Sequence, residues 1–350
     1  MRRPLHLLAL LLLVASCSVI TACGSDEPSS TGSSGTPEST PAAKKIKVGL
    51  VTDIGGLNDR SFNQLANAGL EKAKTDLGIE GRVLTSKANS DYVPNLSSLA
   101  QQKYDVVIGV GFLMAEAMDT VASKFPNTKF AIIDVNAETD LKSKPTNVAG
   151  VLFKEQEAGY LAGYMAGLYV KDAGGTMIGS VGGQKIPPVD HYIAGYDAGA
   201  KAANPDIKTV NGYSQDFVDQ AKCKELALNQ IQQGAKVVFQ VAGQCGLGVI
   251  DAAKEKGVQA IGVDADQSYL GPQVMTSAMK NVDQAVFESI KGVQDDTFKG
   301  GADTVFDVKS GGVGIGKTNA EGTKYAAQVK EVQEQIASGE LTDIPDTVSK

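Results

Sequence analysis

The sequence predicts an α/β fold of two doubly wound lobes, and three observations predict it. Short apolar runs alternate with longer helical patterns along the chain. That alternation is the mark of parallel sheets covered by helices on both faces. The connections are short, about two to six residues, as such units require. The pattern also runs through twice, and 350 residues are too many for one ordinary domain.

The elements follow in order. Lys45 to Val51 reads as a strand. Ser61 to Leu77 reads as a helix, with Phe62, Leu65, Ala66, Gly69, Ala73 and Leu77 on one face. Arg82 to Thr85 is a short strand, Asn95 to Gln102 a helix, Asp105 to Val110 a strand and Leu113 to Lys124 a helix. Lys129 to Ile133 and Asn147 to Phe153 complete the first run of strands. Glu155 to Val170 opens the second run as a long helix, with Gly159, Gly163 and Gly167 spaced for close packing. Strands at Thr176 to Val181, Ile207 to Gly212, Lys236 to Val241 and Val258 to Val263 alternate with helices at His191 to Ala203, Asp219 to Gln232 and Leu247 to Lys256. Beyond Asp264 come a strand (Val274 to Ala278), a helix (Val282 to Lys299), a strand (Val305 to Val308) and a last helix (Lys324 to Ala337). These are too few for a third domain, so each lobe takes a piece. The expected division is 44–153 plus 267–299 for the first lobe and 154–266 plus 300–350 for the second, with a hinge of several crossovers.

The N-terminus adds an address. Arg2 and Arg3 precede an apolar run from Leu5 to Ala15, shorter than the roughly 20 residues of a membrane span. This pattern is that of a secretory signal. Ile20-Thr21-Ala22-Cys23 resembles a bacterial lipobox, which implies cleavage after residue 22 and lipidation of Cys23. Val14-Ala15-Ser16-Cys17 fits the loose pattern too, but the low-complexity stretch begins directly after Cys23. Residues 23–43 are rich in Ser, Thr, Gly and Pro and are expected to be a flexible tether with a reach of ~25 Å. The expected location is the extracytoplasmic face of a membrane, through a lipid anchor.

Composition narrows the function. The apolar fraction is 42% and the formal charge −7, with no basic stripe, which disfavours nucleic acid as a partner. Of two histidines only His191 lies beyond the signal, beside Pro187-Pro188 in an expected loop. With no clustered nitrogen or sulfur ligands, neither a metal nor a cofactor is expected. Gly311-Gly-Val-Gly-Ile-Gly-Lys-Thr318 fits the phosphate-loop pattern, but the residues after it are too few to complete a nucleotide-binding domain. Gly243-Gln-Cys-Gly-Leu-Gly248 lacks the opening of a dinucleotide fingerprint. Cys223 begins a helix and Cys245 follows the next strand, at the same edge of a sheet. A disulfide is geometrically allowed there, the alternative being two separate buried thiols.

Open α/β sheets bind ligands outside the carboxyl ends of their strands. The first strand ends in Thr52-Asp53, followed by a glycine turn and a helix opening at Ser61-Phe62-Asn63-Gln64. Ser61 and Gln64 match a capping box, and Asp59 or Ser61 is the expected cap. Phe62 and Asn63 set an aromatic face and an amide at the mouth of the expected cleft, suited to a planar ligand.

Val51-Thr-Asp53-Ile-Gly-Gly-Leu-Asn-Asp59-Arg-Ser-Phe62-Asn63-Gln64 resembles the leading motif of the basic-membrane-protein family. The resemblance continues through Phe130 to Asp134, Val148 to Gly163, Gly262-Val-Asp264-Ala-Asp266-Gln267 and Thr276 to Lys280. It implies a type I periplasmic-binding-protein fold and a nucleoside receptor, of purine type, working with an ABC permease; a monomer is expected. It also implies roles. Phe62 and Phe217 sandwich the base, Asn63 and Asp134 bond its edge, Asp264 and Lys280 hold ribose hydroxyls, Asp53 lines the site and the Gly243 backbone approaches the sugar. A receptor for a free sugar is the alternative within the binding class. A nucleoside-processing enzyme is the alternative of another class.

Overall fold

The computed structural model describes residues 44–349. The expected signal (1–22), tether (23–43) and lipid-bearing Cys23 lie outside the described residues.

The first run comprises β1 (Lys47–Val51), α1 (Phe62–Asp76), β2 (Glu80–Leu84), α2 (Tyr92–Gln101), β3 (Val106–Val110), α3 (Ala115–Lys124), β4 (Lys129–Ile133) and β5 (Val148–Phe153). The second comprises α4 (Glu155–Asp172), β6 (Met177–Gly182), α5 (Pro187–Ala203), β7 (Lys208–Tyr213), α6 (Gln220–Gln232), β8 (Val237–Val241), α7 (Leu247–Lys256), β9 (Gln259–Asp264) and β10 (Val274–Lys280). Then follow α8 (Val282–Gln294), β11 (Asp303–Phe306), β12 (Val313–Ile315), α9 (Ala320–Thr323) and α10 (Ala326–Ser338).

The strands form two six-stranded sheets of matching order, β11-β5-β4-β3-β1-β2 and β12-β10-β9-β8-β6-β7. Every pairing is parallel except β10 with β12. Helices on both faces explain the unbroken apolar strands. All five residues of β3 are buried. Its alternate residues Val106, Ile108 and Val110 pack into one core, while Val107 packs into another beneath α2 and α3. In the second lobe, α4 and α5 touch backbone to backbone. A Cβ at Gly163 would stand 2.0 Å from the Tyr196 carbonyl oxygen, and one at Gly199 would stand 2.0 Å from that of Tyr160.

The strand assignment differs from the expected division at two places. The piece 267–299 was expected in the first lobe, yet β10 pairs with β9 in the second sheet. The piece 300–350 was expected in the second lobe, yet β11 pairs with β5 in the first. The reason is exposed strand edges: β9 and β5 each offer an unpaired edge that a later strand completes. The chain therefore crosses between sheets three times, after β5, after β10 and between β11 and β12. The crossings run side by side. Lys154 Nζ lies 3.2 Å from Glu157 and 3.6 Å from Asp307. The Val308 amide donates to Glu157 Oε2 at 2.8 Å, and the Asn281 amide donates to the Gly312 carbonyl at 2.8 Å.

The glycine-rich run that fits a phosphate loop has another use. Its Val313–Ile315 is the edge strand β12, and the helix after it, α9, has only four residues.

Candidate functional site

The two sheets direct their carboxyl ends at one cleft. It takes in about 630 Å³ of atom-free space, open solvent included. Asp53 follows β1, Asp134 follows β4, Asp264 and Lys280 end β9 and β10, and Gly243 follows β8. Phe62 and Asn63 open α1, and Phe217 stands in the loop after β7. All eight sequence-predicted site residues line this cleft.

Local structure holds each of them. Asp59, rather than Ser61, caps α1: its carboxylate accepts from the amides of Ser61 (3.1 Å), Asn63 (2.7 Å) and Gln64 (3.1 Å). The expected capping box is therefore absent, because the Ser61 hydroxyl is engaged elsewhere. It donates across the lobes to Asp264 Oδ2 at 2.5 Å. The Tyr192 hydroxyl donates to Asp264 Oδ1 at 3.2 Å. Asn63 braces the turn after β1. Its Oδ1 accepts from the Asp53 amide at 2.9 Å and its Nδ2 donates to the Ile54 carbonyl at 3.3 Å. The Tyr92 hydroxyl donates to Asp53 Oδ1. Burial pushes the Asp53 carboxyl up to about 6, with the Tyr92 bond pulling the other way.

Asp134 and Asp264 occupy matching places, since β4 and β9 are the third strands of their sheets. Both have left-handed backbones, with φ of 68° and 59°. Such conformations are uncommon outside glycine and gather at functional sites.

Charge is concentrated on the cleft floor. Lys280, 2% exposed, places Nζ 2.6 Å from Asp134 Oδ1 and 2.8 Å from Glu155 Oε1. The Asp134 contact is the shorter of the two and is chiefly a charge interaction. The same ammonium lies 5.1 Å from the centre of the Phe62 ring and 4.8 Å from that of Phe153. Burial works against the Lys280 charge, but Asp134, Glu155 and Asp264 outweigh it and raise its pKa. Burial pushes Asp134 up to about 7 despite Lys280. It also raises Asp264, again opposed by Lys280. For Glu155 burial is overcome by Lys280 and His191, so this carboxyl is held below its ordinary value. One buried ammonium thus sits among three acids, of which Glu155 is the firm anion.

Sequence reasoning gave no role to Glu155, Tyr92, Tyr192 or the Ser61 hydroxyl. Glu155 stood within reach of the strand-end rule, two residues past β5. Tyr92 lies on a helix, where nothing in the local pattern marks it. His191, expected where a proline loop meets the helix His191 to Ala203, lies within α5, which begins earlier at Pro187, with Nδ1 3.0 Å from Glu155 Oε2. Pro187 and Pro188 begin that helix, as proline suits a first turn. Cys223 and Cys245 are joined in a disulfide with Cα atoms 5.6 Å apart. The bond ties the start of α6 to the loop after β8. The Cys245 amide donates to the Phe217 carbonyl at 3.0 Å.

Two lobes of this topology, three crossings and a polar cleft at the strand ends define the type I class of solute-binding proteins. Among solved structures, an ABC transporter system solute-binding protein from Aeropyrum pernix matches with a TM-score of 0.77 at 29% identity, over 86% of this chain and 94% of that one. The chain belongs to the Bmp family, described as ABC transporter substrate-binding protein PnrA-like, whose profile matches residues 46–346. A relative in Lactococcus lactis, named ABC transporter nucleoside-binding protein BmpA, is 33% identical over 353 residues, covering 95% of this chain and 96% of that one. A Pyrococcus abyssi protein, named an uncharacterized lipoprotein, is 38% identical over 315 residues, covering 85% of this chain and 77% of that one. The resemblance seen in the first motif therefore extends through nearly all the described residues.

Proposed function

We propose that this protein is an extracytoplasmic lipoprotein that captures a nucleoside, of purine type, between its lobes and delivers it as a monomer to an ABC permease. The observation that carries the reading is the composition of the cleft. Two half-buried phenyl rings, Phe62 and Phe217, line it together with the buried Lys280, Asp134 and Asp264. Rings suit a flat heterocycle, and stacking on an aromatic contributes about 1–3 kcal/mol per base. The acids and the ammonium suit a pentose that offers several hydroxyls. Asn63 retains one of its two amide hydrogens for a base edge. The nucleoside-binding name of the Lactococcus relative and the lipoprotein name of the Pyrococcus one support the same reading.

Contacts from the second lobe then favour the closed state, by as much as the ligand prefers closed over open. Thermal shift with adenosine, guanosine, inosine, uridine and ribose tests the proposal. Stabilisation by purine nucleosides and not by ribose is expected. Stabilisation by ribose alone would replace the reading with a sugar receptor. Release of free base during incubation would replace it with an enzyme.

A further inference from the structure

The charge cluster extends past the cleft, away from the ligand. His191 Nδ1 lies 3.0 Å from Glu155 Oε2, and Glu155 Oε1 accepts from Lys280 Nζ at 2.8 Å. Glu155 touches both partners with different oxygens and is itself buried, at 2% exposure. It does not line the cleft, and neither does His191. Two of the three residues adjoin crossings: Glu155 begins α4 just after the first, and Lys280 is the last residue before the second.

We propose that Glu155 and His191 are positioning residues, a buried strut in which His191 orients Glu155 and Glu155 fixes the Lys280 ammonium at the cleft floor. The inference rests on the nucleoside reading only for its affinity consequence. A long lysine side chain has many rotamers, and holding one costs entropy that a fixed anion offsets. A carboxylate pinned at both oxygens cannot swing away to follow the ammonium.

The strut has a titratable outer end, since the His191 side chain is 30% exposed. The groups facing it are Glu155 from α4, Asp346 from the C-terminal segment and Lys280 from β10. Burial disfavours its charged form, but Glu155 and Asp346 outweigh burial and Lys280, and the imidazole is raised above its ordinary value of 6.5.

Imidazole titration by NMR in the full chain tests the strut without any ligand, and inosine affinity by calorimetry tests its consequence. In the wild type His191 should titrate above its ordinary value. Glu155→Gln should lower that midpoint, and Lys280→Met should raise it, because removing the ammonium removes a repulsion passed along the strut. Inosine affinity at pH 7 should fall about tenfold or more in Glu155→Gln. It should fall several-fold in His191→Ala and recover in His191→Gln, which keeps a donor. An unchanged His191 midpoint in both Glu155→Gln and Lys280→Met overturns the strut. So does inosine binding by Glu155→Gln within twofold of the wild type. A wild type that binds no nucleoside would sink the functional reading instead, and the NMR titration would still decide the strut.

Discussion

At the scale of single residues, the cleft uses groups whose preferred states conflict with burial. Asp53 is the clearest. Its carboxyl is raised to about 6 from 3.8, chiefly by burial. A raised acid means that the folded state binds the proton more tightly than the unfolded state. Its favourable contribution is therefore complete below about pH 4 and is lost as the pH climbs through about 6. Asp53→Asn keeps the acceptor for the Tyr92 hydroxyl and removes the charge. Relative to the wild type it should gain stability between pH 4 and 7, by at most about 3 kcal/mol, readable in urea melts across that range. Phe62→Ala removes a ring rather than a charge. It should weaken nucleoside affinity by about 1–3 kcal/mol, seen by calorimetry.

Much of the residue scale is legible in the sequence. Asp53, Asp134, Gly243, Asp264 and Lys280 end or follow strands, and strand ends face the cleft in any open parallel sheet. Tyr92, Tyr192 and the Ser61 hydroxyl are not legible. They reach the site from helices and across the lobes, and only three-dimensional packing brings them there. Ser61 also fits a local motif, the capping box, that Asp59 displaces.

At the scale of elements, the α4–α5 pair packs backbone against backbone. Gly159, Gly163 and Gly167 are spaced so that one face of α4 has no side chains, and that face is what the spacing predicts. No Cβ fits at Gly163 without moving the backbone of α5. Gly163→Ala should lower stability by about 1–3 kcal/mol, measured by thermal melting, as overpacking a rigid contact does. Strand and helix identity followed from periodicity, but strand destination did not. Nothing local in Val274–Lys280 or Asp303–Phe306 states which sheet will receive it, because an open edge far away in sequence decides. The disulfide acts at this scale too. It closes a loop across a sequence separation of 22 and holds the turn that carries Phe217. Reducing it should cost about 3 kcal/mol of stability in a chemical melt.

At the scale of the whole molecule, side chains bond from one lobe to the other. The Ser61 hydroxyl reaches Asp264, and Gln267 Nε2 donates to the Arg60 carbonyl at 3.1 Å. The buried Lys280–Asp134 pair also joins the lobes, at 2.6 Å; a ligand would shift any opening only by its preference for the closed form. The three crossings run side by side near Lys154 and Asn281, where a hinge between the lobes would lie. The rings and the charged floor come from both lobes, so each lobe alone offers half a site.

A crystal structure of the protein grown with guanosine tests the central claim most directly. The base should lie between Phe62 and Phe217, with the ribose hydroxyls against Asp264 and Lys280. A nucleoside bound outside the cleft, or one in the cleft with its base away from both rings, would contradict it.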